Sequence, residues 1–175
     1  MFMNEGMDTG DMILKKVVEI GEDETTGELW NRLSGIGAKA LVETLEQLEK
    51  GTAKREKQSD DFSIAPMLSK EIAKIDWEKQ SAEKIKNLVR GLNPIMGAYS
   101  FLNDKKIKFW KVKYINQNTY KQPGEVIIAN SKDGLQIATM DGIISVLEIQ
   151  GENSKRMKID DYLRGNKIDV GEKFK

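Results

Sequence analysis

The chain has 175 residues, enough for one domain or two small ones, and its 39% hydrophobic and 32% charged side chains are those of a folded globular protein rather than a disordered one. It has no cysteine, which excludes disulfides and thiolate metal sites, and no histidine, which removes the commonest general base and every Ser-His or Cys-His nucleophile. The net charge of zero conceals a gradient, with residues 1–50 at −6, residues 51–97 at +2 and residues 98–175 at +4, so the two ends suit different partners.

No apolar run approaches the roughly 18 residues of a membrane span, and the first residues lack the basic-then-apolar layout of a signal peptide. With no cysteine, this predicts a cytoplasmic protein without a membrane partner. The opening residues 3–14, MNEGMDTGDMIL, have the composition of a loop. Next, MILKKVVEI (12–20) has the length and β-branched content of a strand. A helix is expected from the TTGE stretch to Lys50, with Thr25 and Glu28 as a capping box. Its apolar face is Leu29, Leu33, Ile36, Ala40, Leu41, Leu45 and Leu48, and Gly35 and Gly37 are expected to mark a bend or a close contact. Strand then helix reads as the tail of an α/β unit.

Residues 51–69 are polar and aperiodic and contain a proline, the pattern of a linker, which is taken to run through residue 80. A second helix is expected from Ser81 as N-cap to Gly91, closed by Asn93-Pro94. From Ala98 onward, short strands alternate with turn signals. AYSFL, ND and KKIKFWKVKY make a hairpin, and the apolar phase slips between Phe109 and Trp110, as a bulge would cause. A meander follows with Gly124, Gly134 and Gly142 at its turns, and DDYLRGNKIDVGEKF supplies a helical turn and a closing strand. Residues 81–175 therefore form a small antiparallel β-barrel or sandwich with a leading helix.

Two stretches carry candidate chemistry. Lys105, Lys106, Lys108, Lys111 and Lys113 are interleaved with Phe109, Trp110 and Tyr114, and no acid stands among them. Lysines on one face of a barrel strand suit a nucleic-acid backbone, while edge strands also use lysine against aggregation. Lys155 and Arg156, in NSKRMK, extend the same patch. In the opening loop, Asp8 and Asp11 lack the further ligands of a calcium loop. Asp8 is either an acid that orients a catalytic group from elsewhere or part of a solvated turn. The acid pairs Asp60-Asp61 and Asp160-Asp161 read as loop charge and a helix N-terminus.

Taken together, EGMDTGDMIL, DETTGELWNRLS, APMLSKEIAKIDW, VRGLNP, PGEVI and LEIQGENSKRM resemble, in order and spacing, the methionyl-tRNA formyltransferase family, over essentially the whole chain. The resemblance implies a Rossmann-like formyltransferase domain ending near residue 50, then the linker, then an OB-like barrel that contacts tRNA. The implied reaction moves a formyl group from 10-formyltetrahydrofolate to the amino group of initiator methionyl-tRNA, without a metal and without DNA, in an enzyme that is monomeric when whole. The family's catalytic Asp sits in an L-D-x-G turn. Here M-D-T-G matches it, so Asp8 is the implied catalytic aspartate, and Glu5, Gly6 and Met7 the implied lining of the pterin end of the folate pocket. The family's Asn-x-His motif and folate loop have no match in these residues. The expectation is therefore an α/β remnant that exposes an apolar helix face and does not catalyse formyl transfer by itself. Two other readings are a non-catalytic RNA-binding barrel, and a relative acting on a sugar nucleotide or hydrolysing formyltetrahydrofolate.

Overall fold

A computed structural model describes residues 1–59 and 61–175; Asp60, read above as loop charge in the linker, lies outside the described residues. The chain divides into two compact units, one of Met1–Glu24 and Glu28–Met67, the other of Thr25–Gly27 and Leu68–Lys175.

Helix α1 (Thr26–Glu49), which belongs to the first unit from Glu28 on, runs unbroken over the stretch its periodicity predicts. Gly35 and Gly37 neither interrupt it nor mark a close approach, since a Cβ on either would meet nothing within 4 Å. None of its side chains is buried, and Trp30, Leu41, Val42 and Leu45 are each more than half exposed. The strand expected at 12–20 is not formed. Only Met12 pairs, in an isolated antiparallel bridge with Glu56, and Val17 is 92% exposed. β-Branched residues favour extended backbone, but a strand also needs a neighbour to take its amides and carbonyls. Among the described residues this unit contains none.

The second unit is built on a six-stranded, antiparallel sheet: β1 (Ala98–Leu102), β2 (Lys105–Ile115), β3 (Val126–Asn130), β4 (Gly134–Ala138), β5 (Ile143–Gln150) and β6 (Met157–Lys158). The spatial order is β1-β2-β5-β4-β3, with β6 also on β5. Asn103 and Asp104 join β1 to β2 and both have positive φ, +49° and +61°, as the tight hairpin turn requires. The expected bulge is present: β2 shifts register against β5 between Phe109 and Lys111, leaving Trp110 without a cross-strand partner. Helix α2 (Ala82–Gly91) starts where Ser81 Oγ accepts from the Lys84 amide at 3.2 Å, and it buries Ile85 and Val89, one turn apart. Helix α3 (Ile159–Gly165) buries Ile159 and Tyr162.

The core centres on three rings. Trp77, Phe109 and Phe174 pack edge-on or tilted, with centroids 5.5–6.0 Å apart, an arrangement that adds roughly 0.5–1.5 kcal/mol per pair beyond the area buried. Trp77 belongs to the stretch read as linker, as do Ala73 and Ile75, and all three are buried in this core. The same segment covers the outer edge of β1: Ile75 donates to the Tyr99 carbonyl and Tyr99 to that of Ala73, both at 2.8 Å. Farther along that edge, Phe101 and Lys175 exchange two backbone bonds of 2.9 Å. The C-terminal segment also meets the far end of the sheet, where Val126 donates to the Glu172 carbonyl (2.8 Å) and Gly171 to that of Val126 (2.9 Å). Strand pairing itself leaves the sheet open, for β1 and β3 do not pair with each other.

Candidate functional site

The bulge at Trp110 decides which lysines share a face. Before it, Ile107 and Phe109 point into the core, and Lys106 and Lys108 stand on the opposite face, paired across the ladder with Phe101 and Tyr99 of β1. Without the extra residue, Lys111 and Lys113 would point inward. With it, Val112 turns in and both lysines are exposed, opposite Glu148 and Ser145 of β5. Lys105 sits at the hairpin end and is also exposed.

The lysines lie over aromatic rings. Lys106 Nζ is 3.7 Å from the Tyr99 ring centroid, Lys108 Nζ is 5.6 Å from that of Trp110, and Lys74 Nζ is 5.7 Å from that of Phe101. Tyr99 and Phe101 pack edge to face at 5.7 Å. Among the described residues, none of Lys74, Lys105, Lys106, Lys108, Lys111 and Lys113 is held in an ion pair, so their charge stays available to an anion. Arg156 differs. It stacks on Trp110 at 5.0 Å, pairs with Glu148 at 2.5 Å and donates to Asn93 Oδ1 at 3.2 Å. Its charge is engaged, and it acts to fix Trp110, whose Nε1 donates to Gln150 Oε1 at 3.0 Å and whose carbonyl accepts from Asn93 Nδ2 at 2.7 Å. Lys155 is exposed beside it. Tyr99, Phe101 and Lys74 escaped the sequence reading. The alternation of Tyr99 and Phe101 with buried Ala98, Ser100 and Leu102 is the signal that marks the first two.

In the first unit, Asp8 is exposed on a compact loop, with φ at +54°. The loop closes where the Phe2 amide donates to the Asp11 carbonyl at 2.8 Å. Gly10 is required there, because a Cβ would lie 1.8 Å from the Phe2 carbonyl oxygen. Thr9 Oγ1 donates back to the Gly6 carbonyl at 3.1 Å. Glu5, Gly6 and Met7 are all exposed, Met7 at 92%, so its thioether chain presents a bare apolar surface. Residues 55–58 lie against the loop. Gln58 Nε2 donates to the carbonyls of Asp8 (2.6 Å) and Gly10 (2.7 Å), Arg55 Nε donates to Asp11 Oδ2 (3.0 Å), and the guanidinium covers the Phe2 ring at 4.2 Å. No group of three or more acidic side chains able to hold a metal ion occurs among the described residues, and no described helix is long and apolar enough to cross a membrane.

Comparison with known proteins adds the family. The model of the formyl transferase C-terminal domain matches residues 67–167, and the model described as formyl transferase matches residues 1–45. The chain is 45% identical over 172 residues to the methionyl-tRNA formyltransferase of Clostridioides difficile (strain 630), an alignment covering 98% of this chain and 55% of that protein. It is 44% identical over 177 residues to the methionyl-tRNA formyltransferase of Ruminiclostridium cellulolyticum, covering 99% of this chain and 56% of that one. The chain thus spans about half the length of these relatives. Among solved structures, HypX from Aquifex aeolicus in complex with tetrahydrofolic acid shares the fold, with a TM-score of 0.67 at 19% identity, over 96% of this chain and 32% of that one. With its C-terminal domain model matched over residues 67–167, the chain belongs to the formyl transferase family, and its sequence corresponds to the C-terminal portion of methionyl-tRNA formyltransferases.

Proposed function

We propose that this chain is the part of a methionyl-tRNA formyltransferase that holds initiator tRNA and supplies the catalytic aspartate. The observation that carries the reading is the outer face of β2, where Lys106, Lys108, Lys111 and Lys113 stand exposed or half-exposed, without ion pairs, beside Tyr99, Phe101 and Trp110. Such a face offers positive charge to phosphates and, at half-buried Tyr99 and Phe101, ring surface to unpaired bases, while Trp110 is itself buried. Lys74 and Lys105 flank it, Lys155 extends it, and Arg156 stacks on Trp110. The sheet, with residues 171–175 lying between β1 and β3, suits an OB-like barrel. We assign residues 1–50 to the catalytic domain and residues 81–175 to the tRNA-binding domain, with Ala73–Trp77 of the intervening stretch packed into the latter.

In this reading Asp8 orients an imidazolium and helps move the proton as the methionyl amine attacks the formyl carbon of 10-formyltetrahydrofolate. The histidine and asparagine of that site are not among these residues, which contain no histidine. Glu5, Gly6 and Met7 form one wall of the donor's pterin site, and the bare methionine side chain fits an apolar wall that a ring system covers.

The test has two arms. Binding of initiator tRNA to the chain should weaken steeply with salt, and removing the charges of Lys106, Lys108 and Lys111 should lower the slope by about one for each phosphate left unneutralised. An unchanged slope would place the tRNA elsewhere. When the chain is joined to the upstream half of the Clostridioides difficile relative, Asp8→Asn should largely abolish formyl transfer and leave tRNA binding intact. Full activity in that variant would make Asp8 a solvated turn residue.

A further inference from the structure

The loop that carries Asp8 is held by a segment with no periodic signature of its own. A carboxamide nitrogen has two N–H donors, and both of those on Gln58 are used on the loop backbone, one at the Asp8 carbonyl and one at the Gly10 carbonyl, at 2.6 and 2.7 Å. The attachments around it are also two-sided. Met12 and Glu56 exchange backbone bonds of 2.8 and 2.9 Å, and Arg55 holds Asp11 by its carboxylate while covering Phe2. Residues 55–58 therefore grip residues 8–12 at three successive points, and the Gln58 amide is the one that touches Asp8 itself.

That contact falls where the backbone is least willing to stay. Asp8 has φ at +54°, a left-handed conformation that most residues with a Cβ avoid and that aspartate adopts only as a single turn residue. An exposed loop free to relax would abandon it. The bond to the Asp8 carbonyl fixes the peptide plane that follows Asp8, one of the two that define its conformation, and the bond to the Gly10 carbonyl anchors the chain beyond Thr9. Together they hold the direction in which the Asp8 carboxylate leaves the backbone. We infer that Gln58 is a positioning residue for Asp8: its side-chain amide locks the left-handed turn and aims the carboxylate. The inference rests on the reading of Asp8 as the catalytic aspartate. The stretch read as a linker thereby becomes part of the active site's support.

The decisive variants are Gln58→Glu, which keeps the shape and removes both donors, and Gln58→Lys, which keeps a donor at similar reach. In the full chain, the amide–Hα coupling of Asp8 and the amide shifts of residues 8–10 report the turn by NMR. Gln58→Glu should shift them toward a right-handed backbone, and Gln58→Lys should restore part of the original pattern. Joined to the upstream half of the Clostridioides difficile relative, Gln58→Glu should lower kcat about a hundredfold, the scale expected when a catalytic group is misplaced by about 1 Å, with KM for the tRNA unchanged and partial recovery in Gln58→Lys. An unaltered Asp8 turn in Gln58→Glu overturns the proposal, whatever the kinetics. So does a displaced turn with unchanged kcat, provided Asp8→Asn is inactive. Full activity of Asp8→Asn overturns the catalytic reading instead, and the NMR comparison then still decides whether Gln58 sets the turn.

Discussion

Trp77 and Ser100, 23 residues apart in sequence, are joined by a buried hydrogen bond in which the indole Nε1 donates to Ser100 Oγ at 2.9 Å, and that hydroxyl donates in turn to the Lys175 carbonyl at 2.9 Å. Three separate segments meet in this relay. Ser100→Ala strands the indole N–H in the core, which costs about 1–3 kcal/mol. The urea midpoint, followed by tryptophan fluorescence, is expected to fall accordingly with an unchanged m-value. A midpoint equal to the parent's would mean that the indole finds another acceptor.

Gly97 faces a second tryptophan. Its φ is +68°, and a Cβ there would lie 3.1 Å from the Trp110 ring. Gly97→Ala therefore adds left-handed strain to a clash, a loss of about 2 kcal/mol or more. Because buried Trp110 supports Lys108 of the proposed tRNA face, the variant should also alter the indole's fluorescence and weaken tRNA binding. A substitution that lowered stability and left both unchanged would show that Trp110 does not support the binding surface.

The buried residues also set where the second unit can be cut. A fragment of residues 92–175 keeps the whole sheet but loses Ala73, Ile75, Trp77, Ile85 and Val89, all of them core residues. It is expected to show the broad, dispersionless NMR spectrum of a collapsed chain, whereas residues 68–175 should give sharp resonances and a cooperative melt. Equal behaviour of the two fragments would show that the added segment packs on a finished core.

Tyr162 makes stability fall in alkali. Burial holds its phenol above the ordinary value of 10.0, so the proton leaves the folded protein less readily than the unfolded one. The associated stability is fully present below about pH 10 and is lost as pH rises through the raised value. Urea midpoints measured from pH 9 to about pH 11.5 should drop less steeply in Tyr162→Phe than in the parent. Parallel curves would assign the alkaline loss to other groups.

What the sequence discloses depends on whether the controlling interaction is local. The hairpin turn at Asn103-Asp104, the Ser81 cap and the bulge at Trp110 are each governed by residues within a few positions, and each is where pattern places it. The strand expected at 12–20 has the right residues and no partner, and pairing is a property of the fold rather than of the segment. Ala73, Ile75 and Trp77 alternate with Lys74 and Asp76, a period of two that is real but too short to stand out in a polar stretch. The lysine face was legible because charge without counter-charge is a local pattern. Arg156 carries the same charge, yet Glu148 engages it from another strand. Gln58 has no periodic signature at all, and only its two carbonyl partners, 48 and 50 residues away, reveal it.

Residues 171–175 bond to Phe101 on one side and to Gly124 and Val126 on the other, so both margins of the sheet depend on this one segment. A ribosome delivers those residues after every strand they touch. Until they emerge, the nascent sheet leaves unpaired the Phe101 end of β1, beyond the part that Ala73 and Ile75 cover, and the outer side of Val126 on β3, each able to recruit a stray strand from a neighbouring chain. The order of synthesis thus makes this unit a late folder by geometry, and loss of residues 171–175 would damage it far more than the removal of three charged side chains and one phenylalanine suggests.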